Sequence, residues 1–265
     1  HTLGREESRM GRFIDRKDYC KLHIISHYVK TLMGSGFSCI PIGKVGDDST
    51  GRELLEEMEQ ASLDIRYVKQ VKDAQTLFCI CLIYPDESGG NLTVEDSASS
   101  QVSPRDILEA EPEFKKLGEK GIALGVPEVP LETREVLFKT AKKHNLFTAA
   151  SFVTDEITSA MEQGFFEMID LAAFNMDEAS AFLDKSPDDP EETVRQTLDL
   201  LQKENADIIL SVTSGSSGSW LWDREKLHYS PAVTVENVRS TAGAGDAHFA
   251  GILAGLSANL SMEAS

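Results

Sequence analysis

The stretch Ser240–Leu256, STAGAGDAHFAGILAGL, holds the residues best suited to chemistry. Gly243, Ala244 and Gly245 are small enough to let a backbone turn come close to a ligand. Phe249, Ile252, Leu253 and Leu256 then recur at helical spacing, so the turn feeds a helix N-terminus. Unpaired N–H groups and the helix dipole favour an anion at such an end. Asp246 stands at that junction. It could serve as an N-cap, or, beside an anion-binding turn, accept the proton of an attacking hydroxyl during phosphoryl transfer. No Gly-Lys-Ser/Thr follows the glycines, so this is not a Walker A loop.

Three other stretches carry weaker signals: Gly43–Gly51 (GKVGDDSTG), Asn175–Glu178 (N-x-x-E) and Thr213–Gly218 (TSGSSG). The last follows the apolar DIILSV run, and N-x-x-E read alone is equally a helix start. The elements that must position them alternate from residue 130 onward. Helices are expected over Leu131–His144 behind Pro130, over Ile157–Gln163 up to Gly164, and over Glu191–Lys203 behind Pro190. Strands are expected over Leu146–Ala150, Met168–Phe174 and Asp207–Val212. Such alternation implies parallel βαβ units with helices on both faces. The middle differs: Thr76–Tyr84 and Asn91–Val94 flank the turn-rich PDESGG, which predicts a β-hairpin suited to a lid or an oligomer surface. Gln101–Leu117 is acidic and expected to be helical in its second half, and Ser186–Glu192 (SPDDPEE) reads as a solvated acidic loop.

Composition narrows the function class. The 265 residues carry 26 Lys plus Arg against 44 Asp plus Glu, a net charge of −18, and a body this acidic repels polyanions. The densest basic stretch, Lys139–His144, reads as a solvated helix face, so no nucleic-acid partner is expected. The longest apolar run, Phe78–Tyr84, is far short of the roughly 20 residues a membrane span needs, and HTLGREESRM lacks the features of a signal peptide. Cys20, Cys39, Cys79 and Cys81 have neither metal nor disulfide-framework spacing; they read as core thiols of a cytoplasmic protein.

Taken in order, G-x-V-G-D-D-x-x-G, N-x-x-E, T-x-G-x-x-G and T-x-G-A-G-D resemble the ribokinase-like (PfkB) family of carbohydrate kinases, from about Leu32 to Leu256, with GAGD the specific part. The resemblance implies an α/β fold of three α/β/α layers, with a mostly parallel central sheet and a small β-sheet lid. It implies one kinase domain over 1–265, incomplete at both ends, with lid elements from about 1–20 and 70–96. Asp246 matches the catalytic base; Gly243, Ala244 and Gly245 match the anion hole. Thr213, Gly215 and Gly218 match the nucleotide-binding turn, and Asn175 and Glu178 the motif that positions hydrated Mg2+. Glu128–Glu132 (EVPLE) resembles a ribokinase segment whose first Glu touches the sugar, which makes Glu128 a substrate ligand or else a carboxylate near the next helix start. The implied activity is ATP-dependent phosphorylation of a hydroxyl on a sugar or sugar-like small molecule, with ATP and Mg2+ as cofactors and a homodimer formed through the lid. A nucleoside kinase of the same family is the alternative enzyme, and a catalytically weak binding or scaffold protein the alternative class.

The chain also departs from the family. Cys20–Ile25 (CKLHII) stands where the family has Gly-Gly-x-x-x-Asn, and the family's first strand with its sugar-binding Asp is not visible ahead of His1. Ser240 replaces an Asp common in the family, which argues against a monovalent-cation site. Ser265 precedes the last helices that help close the adenine pocket in the family.

Overall fold

The computed structural model describes residues 21–83, 89–183, 188–234 and 243–260. It begins with helix α1 (Lys21–Met33), strand β1 (Ile42–Gly46), helix α2 (Ser49–Gln60) and strand β2 (Tyr67–Val71), with β1 and β2 parallel. Strands β3 (Cys79–Ile83) and β4 (Gly89–Thr93) pair antiparallel, as the sequence predicts. Short helices α3 (Pro104–Glu109) and α4 (Glu111–Leu117) lead to β5 (Ile122–Gly125), α5 (Leu131–Lys143) and β6 (Phe147–Ser151). There follow α6 (Ile157–Glu162), β7 (Leu171–Asn175), α7 (Met176–Ser180), α8 (Pro190–Glu204) and β8 (Ile209–Thr213). Strands β9 (Ser219–Trp222) and β10 (Leu227–Ser230) precede helix α9 (Ala244–Ser257).

Six strands form the central sheet in the order β10-β9-β8-β7-β6-β5. Strands β5 to β8 run parallel, and β9 and β10 add antiparallel. Strand side chains alternate between two cores, as a two-period pleat requires. Ala150, Ala172, Phe174, Leu210 and Val212 join one core with α5, α6 and α8; Ala149, Leu171 and Ile209 join the other with Ile25 of α1 and Phe249, Ile252 and Leu253 of α9. Helices therefore cover both faces, giving three α/β/α layers. The first core is aromatic: Phe152, Phe166, Phe174 and Phe182 touch ring to ring at 5.2–6.2 Å. Each buried Phe stabilises the fold by about 1.5–3 kcal/mol through area removed from water.

Local punctuation sets the element ends. Pro130 caps α5, Pro190 opens α8, and Gly164 turns left-handed just after α6. The helical part of Gln101–Leu117 starts earlier than expected, because Ser103 and Asp106 form a capping box around Pro104. Asp106 also receives Lys44 at 2.7 Å and Lys69 at 2.8 Å, tying β1 and β2 to α3. Burial works to raise the Asp106 carboxyl, but these ion pairs hold it well below the ordinary carboxylate range.

Between β5 and the segment 36–42 that leads into β1 lies an apolar cavity of about 320 Å³, lined among others by Ile25, Val29, Phe37, Phe114, Leu124 and Leu137. Cys39 and Cys79 are thiols, half-buried rather than in the core as expected. Among the described residues no helix is long and apolar enough to cross a membrane. Residues 1–20, residues 84–88 within the expected hairpin turn, Ser186 and Pro187 of the expected acidic loop, and Ser240 lie outside the described residues.

Candidate active site

Strands β7 and β8 end side by side, with Asn175 opposite Thr213 in the parallel register. In open α/β sheets ligands bind beyond the carboxyl ends of the strands, so this edge is the place to look. Asn175 caps α7: its Oδ1 accepts the Glu178 N–H at 2.8 Å, while Glu178 Oε2 accepts the Asn175 N–H at 2.8 Å. The helix-start reading of N-x-x-E is thus realised in the structure. A carboxylate offers about four lone-pair sites, so capping does not exhaust its acceptor capacity.

Beyond Thr213 the chain makes a 3-10 turn over Gly215–Ser217, and the Ser214 N–H donates to the Gly218 carbonyl at 2.8 Å. Gly215 and Gly218 both have positive φ, +51° and +94°. A Cβ at Gly218 would lie 2.2 Å from the Ser230 carbonyl oxygen at the end of β10, whereas one at Gly215 would meet nothing within 4 Å. Gly218 is therefore demanded by the fold, and Gly215 faces open space. Gly218→Ala is expected to destabilise by about 2–4 kcal/mol, combining left-handed strain with overpacking, and Gly215→Ala by about 1–2 kcal/mol from strain alone. Urea unfolding midpoints measure the contrast, and equal losses would contradict it.

Helix α9 opens on Gly243, left-handed at φ +78°, and its first backbone bond runs from the Ala247 N–H to the Gly243 carbonyl at 2.9 Å. Gly243, not Asp246, is the N-cap, which corrects the capping alternative: Asp246 lies within the first turn and is half-buried. A glycine cap supplies no side-chain acceptor for the first amides of the helix. Among the described residues, a Cβ at Gly243 or Gly245 would meet nothing within 4 Å. His248 and Ser211 of β8 lie 3.0 Å apart, Nε2 to Oγ, and pin the first turns of α9 to the strand. Phe249, Ile252 and Leu253 share a core with Ile209 of β8 and Leu171 of β7, so α9 packs against the sheet beside these strands. Burial pushes the His248 imidazole below its ordinary value. This clamp was not read from the sequence; the only trace of it is one polar residue beside the apolar run Phe249–Leu256.

Glu128 sits in the β5–α5 loop and lines a cavity of about 40 Å³ with Gly43, Lys44, Thr76 and Leu77, so EVPLE meets GKVGDDSTG. Asp48 of that second motif caps α2, accepting from the Gly51 N–H at 2.7 Å, the Thr76 N–H at 2.7 Å and the Thr76 hydroxyl at 2.8 Å. These bonds outweigh burial and hold its carboxyl below the usual value. On α5, Arg134 is fully buried and ion-paired with Glu156, its guanidinium 5.3 Å over the Phe152 ring. The CKLHII segment, from Lys21 on, starts α1; its His23 is fully buried, 4.2 Å edge-on to His27, and burial lowers its imidazole to about 4.

Among the described residues no three His, Cys, Asp or Glu side chains cluster as a direct metal cage. Residues 34–265 match the pfkB family of carbohydrate kinases. The ATP-dependent 6-phosphofructokinase of Thermoanaerobacterium thermosaccharolyticum is 23% identical over 238 residues, 83% of this chain and 67% of that protein. Among solved structures, ribokinase from Giardia lamblia matches with a TM-score of 0.82 at 14% identity, over 98% of this chain and 78% of that one. Ribokinase from Cryptococcus neoformans var. grubii serotype A, in complex with ADP, matches with a TM-score of 0.79 at 18% identity, over 99% and 83%. Adenosine kinase from Sinorhizobium meliloti matches with a TM-score of 0.75 at 19% identity, over 92% and 72%. At these identities the structures attest the three-layer fold, while the sequence match spans most of the chain and takes in GAGD and the strand ends it adjoins: the chain belongs to the pfkB family of carbohydrate kinases.

Proposed function

We propose that this chain transfers the γ-phosphoryl group of ATP to a hydroxyl of a sugar or sugar-like acceptor, with Asp246 as the base. One observation carries the reading: a left-handed glycine opens α9 where an added side chain would meet none of the described residues within 4 Å, and a carboxylate stands in the first turn of the same helix. Amides there can stabilise charge on the transferring phosphoryl group while Asp246 takes the proton of the attacking hydroxyl. The Thr213–Gly218 turn, at the neighbouring strand end, receives the nucleotide, with room beside Gly215.

Asn175 and Glu178 offer hard oxygen atoms at the same sheet edge, which suits Mg2+ held through its own waters rather than by a protein cage. When bound with the nucleotide, Mg2+ supplies positive charge to the phosphates. Excess EDTA is accordingly expected to abolish turnover and added Mg2+ to restore it; full activity in chelator would remove Asn175 and Glu178 from this role.

The β3–β4 hairpin serves as the lid. Its exposed cross-strand pair Ile80 and Leu92, with Phe78 beside it, supports a role in covering the acceptor or in pairing two copies. ATP consumption with D-ribose, D-fructose 6-phosphate and adenosine as acceptors tests the function directly. A nucleoside acceptor is the second reading, favoured by the fold match to an adenosine kinase. No phosphoryl transfer to any sugar, sugar phosphate or nucleoside by the full-length protein would overturn both.

A further inference from the structure

The GKVGDDSTG segment closes around a buried residue that lies well beyond it in the chain, Thr76. The Thr76 hydroxyl accepts the Gly46 N–H at 2.9 Å and donates to Asp48 Oδ1 at 2.8 Å. The Thr76 N–H donates to Asp48 Oδ2 at 2.7 Å, while Oδ1 also accepts the Gly51 N–H at 2.7 Å. One carboxylate therefore caps α2 and grips Thr76 by two bonds. Two glycines of the segment make room for that grip. A Cβ at Gly46 would lie 2.6 Å from the Thr76 nitrogen, and one at Gly51 2.8 Å from the Thr76 hydroxyl oxygen. Helix capping alone requires none of this, since the bond from Gly51 already satisfies it. Hydrogen bonds to an ionised acceptor are the strong kind, so this node is a stiff one.

Thr76 is the foot of the β3–β4 hairpin. Just before it, the Gln75 carbonyl accepts the Ala98 N–H at 2.8 Å and Gln75 bridges Ser97, so the chain leaves and returns at one place. Beyond it, no other helix or strand packs broadly on β3 or β4 among the described residues, and Phe78, Ile80 and Leu92 are exposed. A two-stranded ribbon has little stability of its own. One that lacks packing along its length takes its direction from its feet. Thr76 and Leu77 also line the cavity of about 40 Å³ shared by Gly43, Lys44 and Glu128, so this foot forms part of that wall.

We propose that Asp48 is the positioning residue of the hairpin: through Thr76 it clamps the ribbon's foot to the end of β1 and the start of α2. The clamp sets where the ribbon lies when an acceptor binds, and in this it rests on the reading of β3–β4 as the lid. Apparent affinity falls with the fraction of molecules whose lid is ready to close, so a loosened foot weakens acceptor binding. The nucleotide turn, at the end of β8, is not part of the clamp.

Hydrogen exchange without substrate tests the clamp itself. Thr76→Val keeps the shape and deletes the hydroxyl; Asp48→Asn still caps α2 but offers one acceptor oxygen where the carboxylate offers two. In either variant the β3 and β4 amides should exchange at least about tenfold faster, while those of β6, β7 and β8 stay within about twofold. Thr76→Ser restores the hydroxyl and should return the ribbon to near its original rates. The losses should not add in the double variant, because both singles break the same node. Ribbon amides unmoved in whichever variant folds, or core amides accelerated equally, overturn the proposal. The unsubstituted protein gives a further check. Its Gly46 and Thr76 amides should exchange more slowly than those of β3 and β4, and a Thr76 amide as fast as the ribbon would show the foot unclamped.

Kinetics separate this inference from the function it rests on. With the best of D-ribose, D-fructose 6-phosphate and adenosine, Thr76→Val and Asp48→Asn should raise acceptor KM at least about tenfold. ATP KM and kcat should change little, and Thr76→Ser should recover acceptor KM. The ribbon variant Ile80→Ser/Leu92→Ser reports on the lid separately. If ribbon exchange speeds up but no variant moves acceptor KM, β3–β4 is not the lid and the clamp survives. If the ribbon variant raises acceptor KM and the clamp variants do not, the lid survives and Asp48 does not position it.

Discussion

Asp246→Asn is expected to lower kcat by about 10²–10⁴-fold, the scale on which a general base acts. The substitution keeps size and hydrogen-bonding shape but removes the ability to take a proton. Asp246 lies in the first turn of α9, where a negative charge also interacts favourably with the helix dipole. The dipole contribution lost with that charge is about 0.3–1 kcal/mol, small beside the loss in rate. Because Gly243 rather than Asp246 caps the helix, no cap is removed. Thermal midpoint and KM for ATP should therefore stay close to wild type while kcat collapses, the signature of an interaction made only in the transition state. A variant that turns over the best acceptor at near wild-type kcat would exclude Asp246 as the base.

What the sequence revealed of this site depends on how local each determinant is. The helix behind GAGD was legible because Phe249, Ile252 and Leu253 repeat at its period, and those residues are the buried face of α9. Pro130, Gly164 and Pro190 marked element ends through their own backbone restrictions, and the elements end there. The paired ends of β7 and β8 followed from alternating elements, since parallel strands joined by helices finish on one edge. Determinants made by distant residues were not legible. Gly218 must be glycine because of the Ser230 carbonyl on another strand, and a T-x-G-x-x-G string contains no record of that neighbour. Arg134 meets Glu156 across 22 positions of sequence, and His248 meets Ser211 across 37. A clue to Arg134 did exist, as a charge at helical spacing within an apolar stripe. The strands β9 and β10, four residues each, are too short for periodicity to announce. The role of Asp246 as a first-turn residue rather than a cap turned on the left-handed φ of Gly243, a choice glycine leaves open.

Gly245→Val should depress kcat by about 10²–10³-fold while leaving the protein as stable as before, or more so. Gly245 is a helical residue of α9 without positive φ, and a Cβ built on it meets no atom within 4 Å. Nothing among the described residues therefore resists a Cβ there. Glycine is a poor helix residue, by about 0.8–1.0 kcal/mol relative to alanine, so Gly245→Ala should stabilise slightly and Gly245→Val should be close to neutral. Gly243 behaves oppositely: at φ +78° any side chain is strained by about 1–2 kcal/mol, so Gly243→Ala confounds stability with activity. The space beside Gly245, where a Cβ meets none of the described residues within 4 Å, is where the transferring phosphoryl group must come if the α9 amides stabilise its charge. A valine side chain fills that space and holds the oxygens away from the donors. Removing one such donor costs about 2.7–4 kcal/mol of transition-state stabilisation elsewhere, which sets the expected loss in rate. A graded series makes the assignment specific, with kcat falling from Gly245 to Ala to Val while the unfolding midpoint holds or rises. If kcat instead stays level across the series, no phosphoryl group approaches this helix end, and the charge must be stabilised by other groups.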